Sequence, residues 1–264
     1  MFDLTPAVRT LLLINVLVFF LQTQFPVITS LGALYPIGSV NFQPWQFITY
    51  MFLHGSIGHI FSNMLGLVFI GASLERVWGA ERFLAFWLIC GVGAGGLYEG
   101  VRAYELHHMN VDRMAFHQDP SGGGFIEFYR EYFPDYESEA VELATTLQRN
   151  ATDPTVIQTA VSSIDEAYDT ALNSPAAGML GASGALFGVL FAFGYLFPTQ
   201  ELILFPLPIP IKAWLFVLLY SVYELYQGIH PVPGDNVAHF AHLGGMLIGF
   251  IVLKIWERSR GQFY

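Results

Sequence analysis

Charged residues are scarce in this chain. Asp, Glu, Lys and Arg make up 12% of the sequence, whereas 54% of it is hydrophobic and the mean hydropathy is +0.49. A soluble domain carries roughly 25% charged residues. The shortage of charge excludes an ordinary soluble globular protein and predicts a membrane protein.

Two further absences narrow the chemistry. The chain contains one cysteine, Cys90, which excludes an internal disulfide. It contains no His-Glu-x-x-His run, the motif with which many metalloproteases bind zinc on a helix. The second absence argues against a zinc metalloprotease.

Basic residues are also few, and the net charge of −10 comes almost entirely from one segment. Residues 101–175 hold 13 Asp and Glu against 4 Arg, a net charge of −9. Nucleic-acid binding depends on Lys and Arg that neutralise phosphates. The charge distribution therefore argues against nucleic acid as a partner.

Long apolar stretches fill the rest of the chain, and each is able to cross about 30 Å of hydrocarbon. We interpret the first as a membrane helix and not as a signal peptide, because its leader has one arginine and no clear cleavage site follows. The six predicted spans are residues 8–25, 58–73, 83–100, 179–197, 211–227 and 237–256.

The distribution of Lys and Arg predicts an orientation. Both are absent from the connections 26–57 and 228–236, but the carboxyl end carries Lys254 and Arg258. Cytoplasmic connections have an excess of these residues. We therefore expect a multi-pass protein of the bacterial plasma membrane with both termini in the cytoplasm and residues 101–175 outside.

These residues form an insertion between the two membrane parts of the domain, 1–100 and 176–264. We expect a mostly helical extracytoplasmic subdomain, because Asp153-Pro154 is a typical helix start. The other expected elements are a flexible break at residues 120–124 and a helix at residues 137–148.

Two groups of side chains in the insertion need an explanation. Its aromatic residues form either a patch at the membrane interface or the small core of the subdomain. They are Phe125, Phe128, Tyr129, Tyr132 and Phe133. His107, His108 and His117 lack a supporting pattern of carboxylates or cysteines, so we do not expect a metal site there. The insertion is a candidate surface for an extracytoplasmic partner.

A serine and a histidine lie inside two of the predicted spans. The serine is in the run Gly181-Ala182-Ser183-Gly184, and the histidine is in Ala241-His242-Leu243-Gly244-Gly245. Polar groups at this depth are costly and by default indicate function. A serine hydroxyl needs a neighbouring base, so Ser183 is the candidate nucleophile and His242 the candidate base.

Glycines support this pairing. Taken alone, Ser183 is better explained as a hydroxyl bonded back to its own helix. Gly184 and Gly188 form one small-xxx-small pair, and Gly245 and Gly249 form another. Such faces let two helix backbones approach closely, which a short serine side chain requires to reach a histidine on another helix.

The second span offers donors for an oxyanion hole. His59 and Asn63 are four residues apart and share one face of a helix. Together with the backbone N–H of Ser183, they are candidate stabilisers of a tetrahedral intermediate. The alternative is an interfacial histidine and an asparagine that holds helices together.

No Asp or Glu is obviously placed to orient His242, so we predict a dyad and not a triad. Glu224 in the fifth span has a weaker claim. One turn after the serine, Phe187 is placed to stack on the imidazole. His239, one turn before His242, contacts it or a water, or is itself the base. The predicted supporting residues are Phe187, His239, Gly181 and Gly184.

Four runs, in order, resemble those of rhomboid intramembrane serine proteases. They are Phe52-Leu53-His54-Gly55-Ser56-x-x-His59-x-x-x-Asn63, Glu75-x-x-x-Gly79-x-x-Arg82-Phe83, Gly181-x-Ser183-Gly184 and Ala241-His242-x-x-Gly245. The six-span layout agrees as well. The resemblance covers everything except residues 101–175, since most simple members connect spans three and four briefly.

The resemblance implies an all-α, six-helix rhomboid bundle that cleaves single-span membrane proteins in or near the outer part of the bilayer. It implies Ser183 as nucleophile, His242 as general base, and His59, Asn63 and the Ser183 amide as the oxyanion hole. It implies no metal or organic cofactor. It further implies a structural wedge in residues 26–57, a substrate gate in span five and a cap at 228–236.

Two other functions compete with an active protease. A non-catalytic relative would bind membrane helices for quality control or transport, but such relatives usually lack the serine or the histidine, and this chain has both. A channel or transporter would line a pathway with these polar residues. We expect the protease.

Overall fold

The computed structural model describes residues 4–203, 209–230 and 237–260, which are largely helical. A short antiparallel pair of strands, β1 (Glu201–Ile203) and β2 (Pro210–Lys212), lies between two of the helices. The helices are α1 (Pro6–Gln24), α2 (Val27–Gly32), α3 (Gln46–Thr49), α4 (Ile57–Gly66), α5 (Ala72–Trp78), α6 (Ala80–Gln118), α7 (Gly122–Tyr132), α8 (Glu137–Arg149), α9 (Pro154–Asn173), α10 (Ser183–Leu196), α11 (Ala213–Ile229) and α12 (His239–Arg260).

Several of these helices suit a membrane. Within the described residues, four are long and apolar enough to cross one by length and composition: Pro6–Gln24, Ile57–Trp78, Ala80–Gln118 and His239–Arg258. The shorter helix α10 is also apolar. The protein is therefore a helical membrane protein with several spans.

The observed helices differ from the predicted spans at their ends. The second span continues past residue 73, because a π-helical turn at Leu67–Gly71 joins α4 to α5. The third continues far past residue 100: α6 has 39 residues and is about 58 Å long. The fourth begins only at Ser183, after a non-helical glycine at position 181.

Helix α10 lies at the centre of the apolar bundle. Ten of its 14 residues are buried, and it packs against both α6 and α12. A helix that is apolar on all sides is typical of such a central position. The serine at its start is therefore held by neighbours on several sides.

The contact between α10 and α12 is made by glycines. A Cβ at Gly245 would collide with the carbonyl oxygen of Gly184, and a Cβ at Gly249 would lie only 3.1 Å from the Cα of Gly188. The two backbones touch, which confirms the close approach that the glycine spacing predicts.

The region around the α5–α6 connection contains a glycine turn and, in α5, a carboxylate that fastens the first helix to the bundle. Gly79 has φ of +79°, a conformation that favours glycine. The buried carboxylate of Glu75 accepts hydrogen bonds from the backbone N–H groups of Ala7 and Val8, both at 2.8 Å, and from the Thr5 hydroxyl at 2.5 Å. It thus satisfies donors at the start of α1 that have no partner within that helix.

The carboxyl-terminal part of α6 builds a second hydrophobic core with α7, α8 and α9. Phe125 and Phe128 are only 1% and 4% exposed within it, and Tyr129, Tyr132 and Phe133 pack against it. Of the two interpretations of these aromatic residues, the structure favours the core of the subdomain over a membrane-interface patch.

The expected flexible break at residues 120–124 is wrong, because Gly122 begins α7. The Ser121 hydroxyl caps this helix by accepting the Gly124 N–H at 3.2 Å. A Cβ at Gly122 would collide with the Ala144 carbonyl of α8. The glycine therefore permits a close helix contact, a use that the sequence run did not reveal.

The two helices predicted for the insertion are present. The predicted segment 137–148 corresponds to α8, and Asp153-Pro154 begins α9. The Asp153 carboxylate accepts the Thr155 N–H at 2.8 Å, as expected of an N-cap. Near the bundle, Arg102 donates to the Ala171 carbonyl at 2.7 Å, so the two ends of the insertion lie side by side.

Candidate active site

Backbone hydrogen bonds hold the segment that precedes α10. Leu34 and Met179 exchange two of 2.8 Å, and the Gly181 N–H donates to the Tyr50 carbonyl at 2.9 Å. Gly181 has φ of +129°, which other residues rarely adopt. Ser183 follows as the first residue of α10, where the backbone N–H has no acceptor within the helix.

The structure places the predicted nucleophile and base in contact. His242 lies in the first turn of α12, and its Nε2 is 2.8 Å from Ser183 Oγ. The histidine residue is only 7% exposed. The glycine contact between α10 and α12 brings the two helix starts close enough for this hydrogen bond.

A carboxylate completes the arrangement, contrary to the expectation of a dyad. Oε2 of Glu224 on α11 is 2.9 Å from His242 Nδ1 and 2.7 Å from His239 Nδ1. Glu224 is 1% exposed. The three side chains Ser183, His242 and Glu224 therefore form a connected chain with the geometry of a triad.

The carboxylate also determines which ring nitrogen of His242 carries a proton. A carboxylate accepts hydrogen bonds and does not donate them. A neutral His242 beside Glu224 therefore carries its proton on Nδ1 and presents the lone pair of Nε2 to the Ser183 hydroxyl. This is the tautomer that a general base for serine requires.

The contact between Glu224 and His242 is not predictable from spacing along the chain, because spacing does not fix the rotation of α11 relative to α12. One signal was available: no other Asp, Glu, Lys or Arg occurs in Ala213–Ile229. A lone carboxylate in an apolar helix is costly and needs a partner.

The supporting residues occupy distinct positions. The Phe187 ring stacks on the His242 imidazole, with centroids 4.0 Å apart and planes 5° from parallel. His239 lies edge-on to the His242 ring, with ring centroids 6.4 Å apart, and its Nδ1 bonds to Glu224. The structure thus brings His242, and not His239, to Ser183.

The two candidate oxyanion donors lie on α4. His59 Nδ1 accepts the Gly55 N–H at 3.4 Å, which leaves Nε2 as the protonated nitrogen of a neutral ring. A Cβ built on Gly181 would be 2.7 Å from this Nε2 and 3.6 Å from Ser183 Oγ. Both atoms therefore flank the same glycine.

The Asn63 amide completes this set. Asn63 is one turn after His59 and is 7% exposed, and its Nδ2 is buried without a hydrogen-bond partner in the described part of the chain. An unpartnered buried donor is costly. The cost is offset when a negatively charged group binds there, which is the role proposed for an oxyanion hole.

Among the described residues, one group of three side chains has ligand atoms spaced for a metal: Glu224, His239 and His242, all buried and with these atoms within 4.8 Å of one another. The histidines of the insertion are engaged in other ways. His117 pairs with Asp165 at 2.8 Å, and His108 lies against the Tyr104 ring at 4.3 Å.

Comparison with known proteins identifies a family. A family model described as "Rhomboid domain" matches residues 41–107 and 147–258. The gap within this match, residues 108–146, lies within the predicted insertion, whereas residues 101–107 and 147–175 of that insertion are matched; residues 1–40 and 259–264 lie outside the match. The gap includes α7 and most of α8.

Individual relatives point the same way. The chain is 44% identical over 81 residues to "Rhomboid protein 1, mitochondrial" of Saccharomyces cerevisiae, covering 31% of this chain and 22% of that protein. It is 27% identical over 219 residues to "RHOMBOID-like protein 12, mitochondrial" of Arabidopsis thaliana, covering 82% and 47%. It is 30% identical over 110 residues to "Rhomboid protease AarA" of Providencia stuartii, covering 39% of each. The chain thus spans less than half the length of each of these relatives.

Proposed function

Because the chain belongs to the rhomboid family, whose domain model matches more than half of it, we propose that it is a serine endopeptidase that cleaves transmembrane proteins within the membrane. The observation that carries this proposal is the 2.8 Å hydrogen bond between Ser183 Oγ and His242 Nε2. Its support is the Glu224 carboxylate, which lies 2.9 Å from the opposite ring nitrogen.

In the proposed reaction, Ser183 Oγ attacks the carbonyl carbon of the scissile peptide while its proton passes to His242 Nε2. The negative charge of Glu224 stabilises the imidazolium that results. His242 then gives the proton to the leaving amine, which leaves the acyl group on Ser183. A water, deprotonated by His242, attacks this ester and releases the second product.

The oxyanion of each tetrahedral intermediate is stabilised by hydrogen-bond donors that are already in place. We propose three: the Ser183 backbone N–H at the start of α10, the Nε2–H of His59 and the Nδ2–H of Asn63. The lack of a partner for Asn63 Nδ2 supports this assignment, because the amide is available to the intermediate.

The proposed substrates are single-span membrane proteins. A helix hides its backbone carbonyls in hydrogen bonds, so the substrate must unwind locally before Ser183 can attack. Glycine or proline near the cut bond makes unwinding easier. The substrate is proposed to enter past α11. The cap is predicted at residues 228–236, of which residues 231–236 lie outside the described part of the chain.

We propose a six-span topology in which α10 and α11 cross with the four longer helices, both termini are cytoplasmic and the insertion lies on the opposite side. The excess of Lys and Arg at the carboxyl end supports this orientation. The insertion is then a binding surface for an extracytoplasmic partner. The bacterial plasma membrane stays a prediction, since two of the relatives above are named as mitochondrial.

The proposal is tested with purified protein in liposomes that contain a labelled single-span substrate. Ser183→Ala and His242→Ala should each lower the cleavage rate at least ~1000-fold, with unchanged helix content by circular dichroism. Ser73→Ala is the matched control, because the Ser73 hydroxyl bonds to the Phe69 carbonyl of its own helix at 3.1 Å. Cleavage that persists in Ser183→Ala refutes the mechanism. A folded wild type that binds substrates without cutting any of them supports the non-catalytic alternative.

A further inference from the structure

Two imidazoles, those of His239 and His242, contact the same carboxylate oxygen of Glu224. Oε2 of Glu224 lies 2.7 Å from His239 Nδ1 and 2.9 Å from His242 Nδ1. The three side chains are 1%, 7% and 7% exposed. A serine peptidase requires one of these two imidazoles, so the second needs a separate explanation.

Two histidines and one glutamate are a ligand set that zinc uses in enzymes, with bonds of about 2.0–2.2 Å and a fourth position open. Tetrahedral ligands at these lengths are about 3.4 Å apart. The two separations from Glu224 Oε2 are shorter by about 0.5–0.7 Å, and all three ligand atoms lie within 4.8 Å of one another. Side-chain rotations that move the Glu224 oxygen away from the two Nδ1 atoms would therefore admit the ion.

We propose that these three side chains bind a zinc ion that switches the peptidase off. The proposal rests on the function proposed above. Zinc binds the lone pair of Nδ1, so each neutral ring must carry its proton on Nε2 instead. In His242 this proton faces Ser183 Oγ, and the ring has no lone pair left to accept the serine proton.

Zinc and catalysis therefore need opposite tautomers of His242. The active form holds the proton on Nδ1, against Glu224, and the zinc form holds it on Nε2, against Ser183. The bound ion also neutralises Glu224, which then no longer stabilises an imidazolium. Inhibition should follow occupancy of the site and should be reversed when a chelator removes the ion.

The first test measures binding without activity. Zinc is titrated against a chromophoric chelator into purified Ser183→Ala protein, which keeps all three ligands. We expect Ser183→Ala to bind one zinc ion tightly. Ser183→Ala/His239→Gln should bind zinc roughly 10- to 100-fold more weakly or worse, because losing even a residue that only hydrogen-bonds to a zinc ligand costs that much affinity. His117→Gln in the same background is the matched control. His117 is a histidine already paired with a carboxylate, Asp165, but it lies in the insertion.

The second test measures activity and coordination in the wild type. Cleavage should fall in proportion to zinc occupancy and return with EDTA, and His239→Gln should need at least tenfold more zinc for the same relative inhibition. X-ray absorption of the zinc complex should show only nitrogen and oxygen ligands, which checks the site without any substitution.

Each opposing result has its own meaning. Equal zinc affinity in Ser183→Ala and in Ser183→Ala/His239→Gln would overturn the site. Cleavage that zinc stimulates and EDTA abolishes would overturn the inhibitory role and replace the serine mechanism with metal catalysis. Zinc that binds with the expected ligand dependence to a protein that cleaves nothing would refute the proposed peptidase and the inhibitory role and leave the metal site standing.

Discussion

Glu224 shows how one side chain changes the chemistry of the site. Its Oε2 faces the Nδ1 atoms of both His239 and His242, and its charge is buried among apolar helices. Breaking a buried pair by removing one partner is strongly destabilising. An amide substitution keeps the shape and removes the charge, so it isolates the electrostatic role.

We predict that Glu224→Gln lowers the cleavage rate by up to roughly 10,000-fold, the loss known for an amide in place of a triad carboxylate. The amide NH2 can donate to His242 Nδ1 and so select the wrong tautomer. Glu99→Gln is the matched control, a buried carboxylate that accepts the Ile37 N–H at 3.0 Å. A wild-type rate in Glu224→Gln, measured in liposomes, would restore the dyad.

Asn63 tests the oxyanion hole. We predict that Asn63→Ala lowers the cleavage rate by roughly 10- to 1000-fold, on the scale of other such donors, because the intermediate loses one hydrogen bond. Asn15→Ala is the control, since the Asn15 amide is buried but donates to the Leu11 carbonyl of its own helix at 2.7 Å.

An unchanged rate in Asn63→Ala would instead support the structural interpretation of this residue. In that case Asn63→Ala should lower the temperature of thermal unfolding, because an asparagine that holds helices together stabilises the fold. Measuring rate and stability on the same sample separates the two roles.

At this scale, the sequence predicts contacts that depend only on the spacing of residues within one helical turn. Phe187 follows Ser183 by four residues and therefore shares its face, so its stacking on His242 was predictable. The contact between Glu224 and His242 depends on how α11 is rotated against α12. The spacing of residues within either helix does not determine this rotation.

At the scale of elements, the glycine contact between α10 and α12 positions the serine and the histidine. We predict that Gly245→Ala lowers the cleavage rate and destabilises the protein by about 1–3 kcal/mol, as overpacking does, because its Cβ would collide with the Gly184 carbonyl. Thermal unfolding and cleavage are measured together.

Gly96→Ala is the matched control for this prediction. It is also a helical glycine, but nothing lies within 4 Å of its added Cβ, so the substitution should be neutral or slightly stabilising. Equal effects of the two substitutions would mean that the α10–α12 contact does not position the site.

Element boundaries were harder to predict than element types. The polarity of the chain changes near residue 100, which suggested the end of a span, yet α6 continues to Gln118. A rise in the polarity of the sequence indicates where a helix leaves the apolar bundle, but it does not indicate where the helix ends. In the same way, the Gly122–Gly124 run suggested a break, whereas Ser121 caps a helix there.

At the scale of the whole molecule, the gap within the family match lies inside residues 101–175, the predicted insertion. The family match omits residues 108–146, and α6 to α9 share a hydrophobic core of their own. The chain returns to the bundle through Asn173, whose side chain accepts the Ser39 hydroxyl at 2.9 Å. This contact lies ten residues before Ser183.

We predict that replacing residues 105–172 with a short linker leaves Ser183 reactive but changes substrate choice. The ends can be joined because Arg102 and Ala171 are in contact. Relative rates on several single-span substrates should shift by about tenfold, or about 1.4 kcal/mol. Unaltered selectivity with intact reactivity would remove the insertion from substrate recognition.

The most direct test of the central claim is the site of reaction with a biotinylated fluorophosphonate, mapped by mass spectrometry on the folded protein. The account predicts one adduct, on Ser183 Oγ, which is lost in His242→Ala and retained in Ser73→Ala. An adduct on another residue, or equal labelling of Ser183 in His242→Ala, would contradict it.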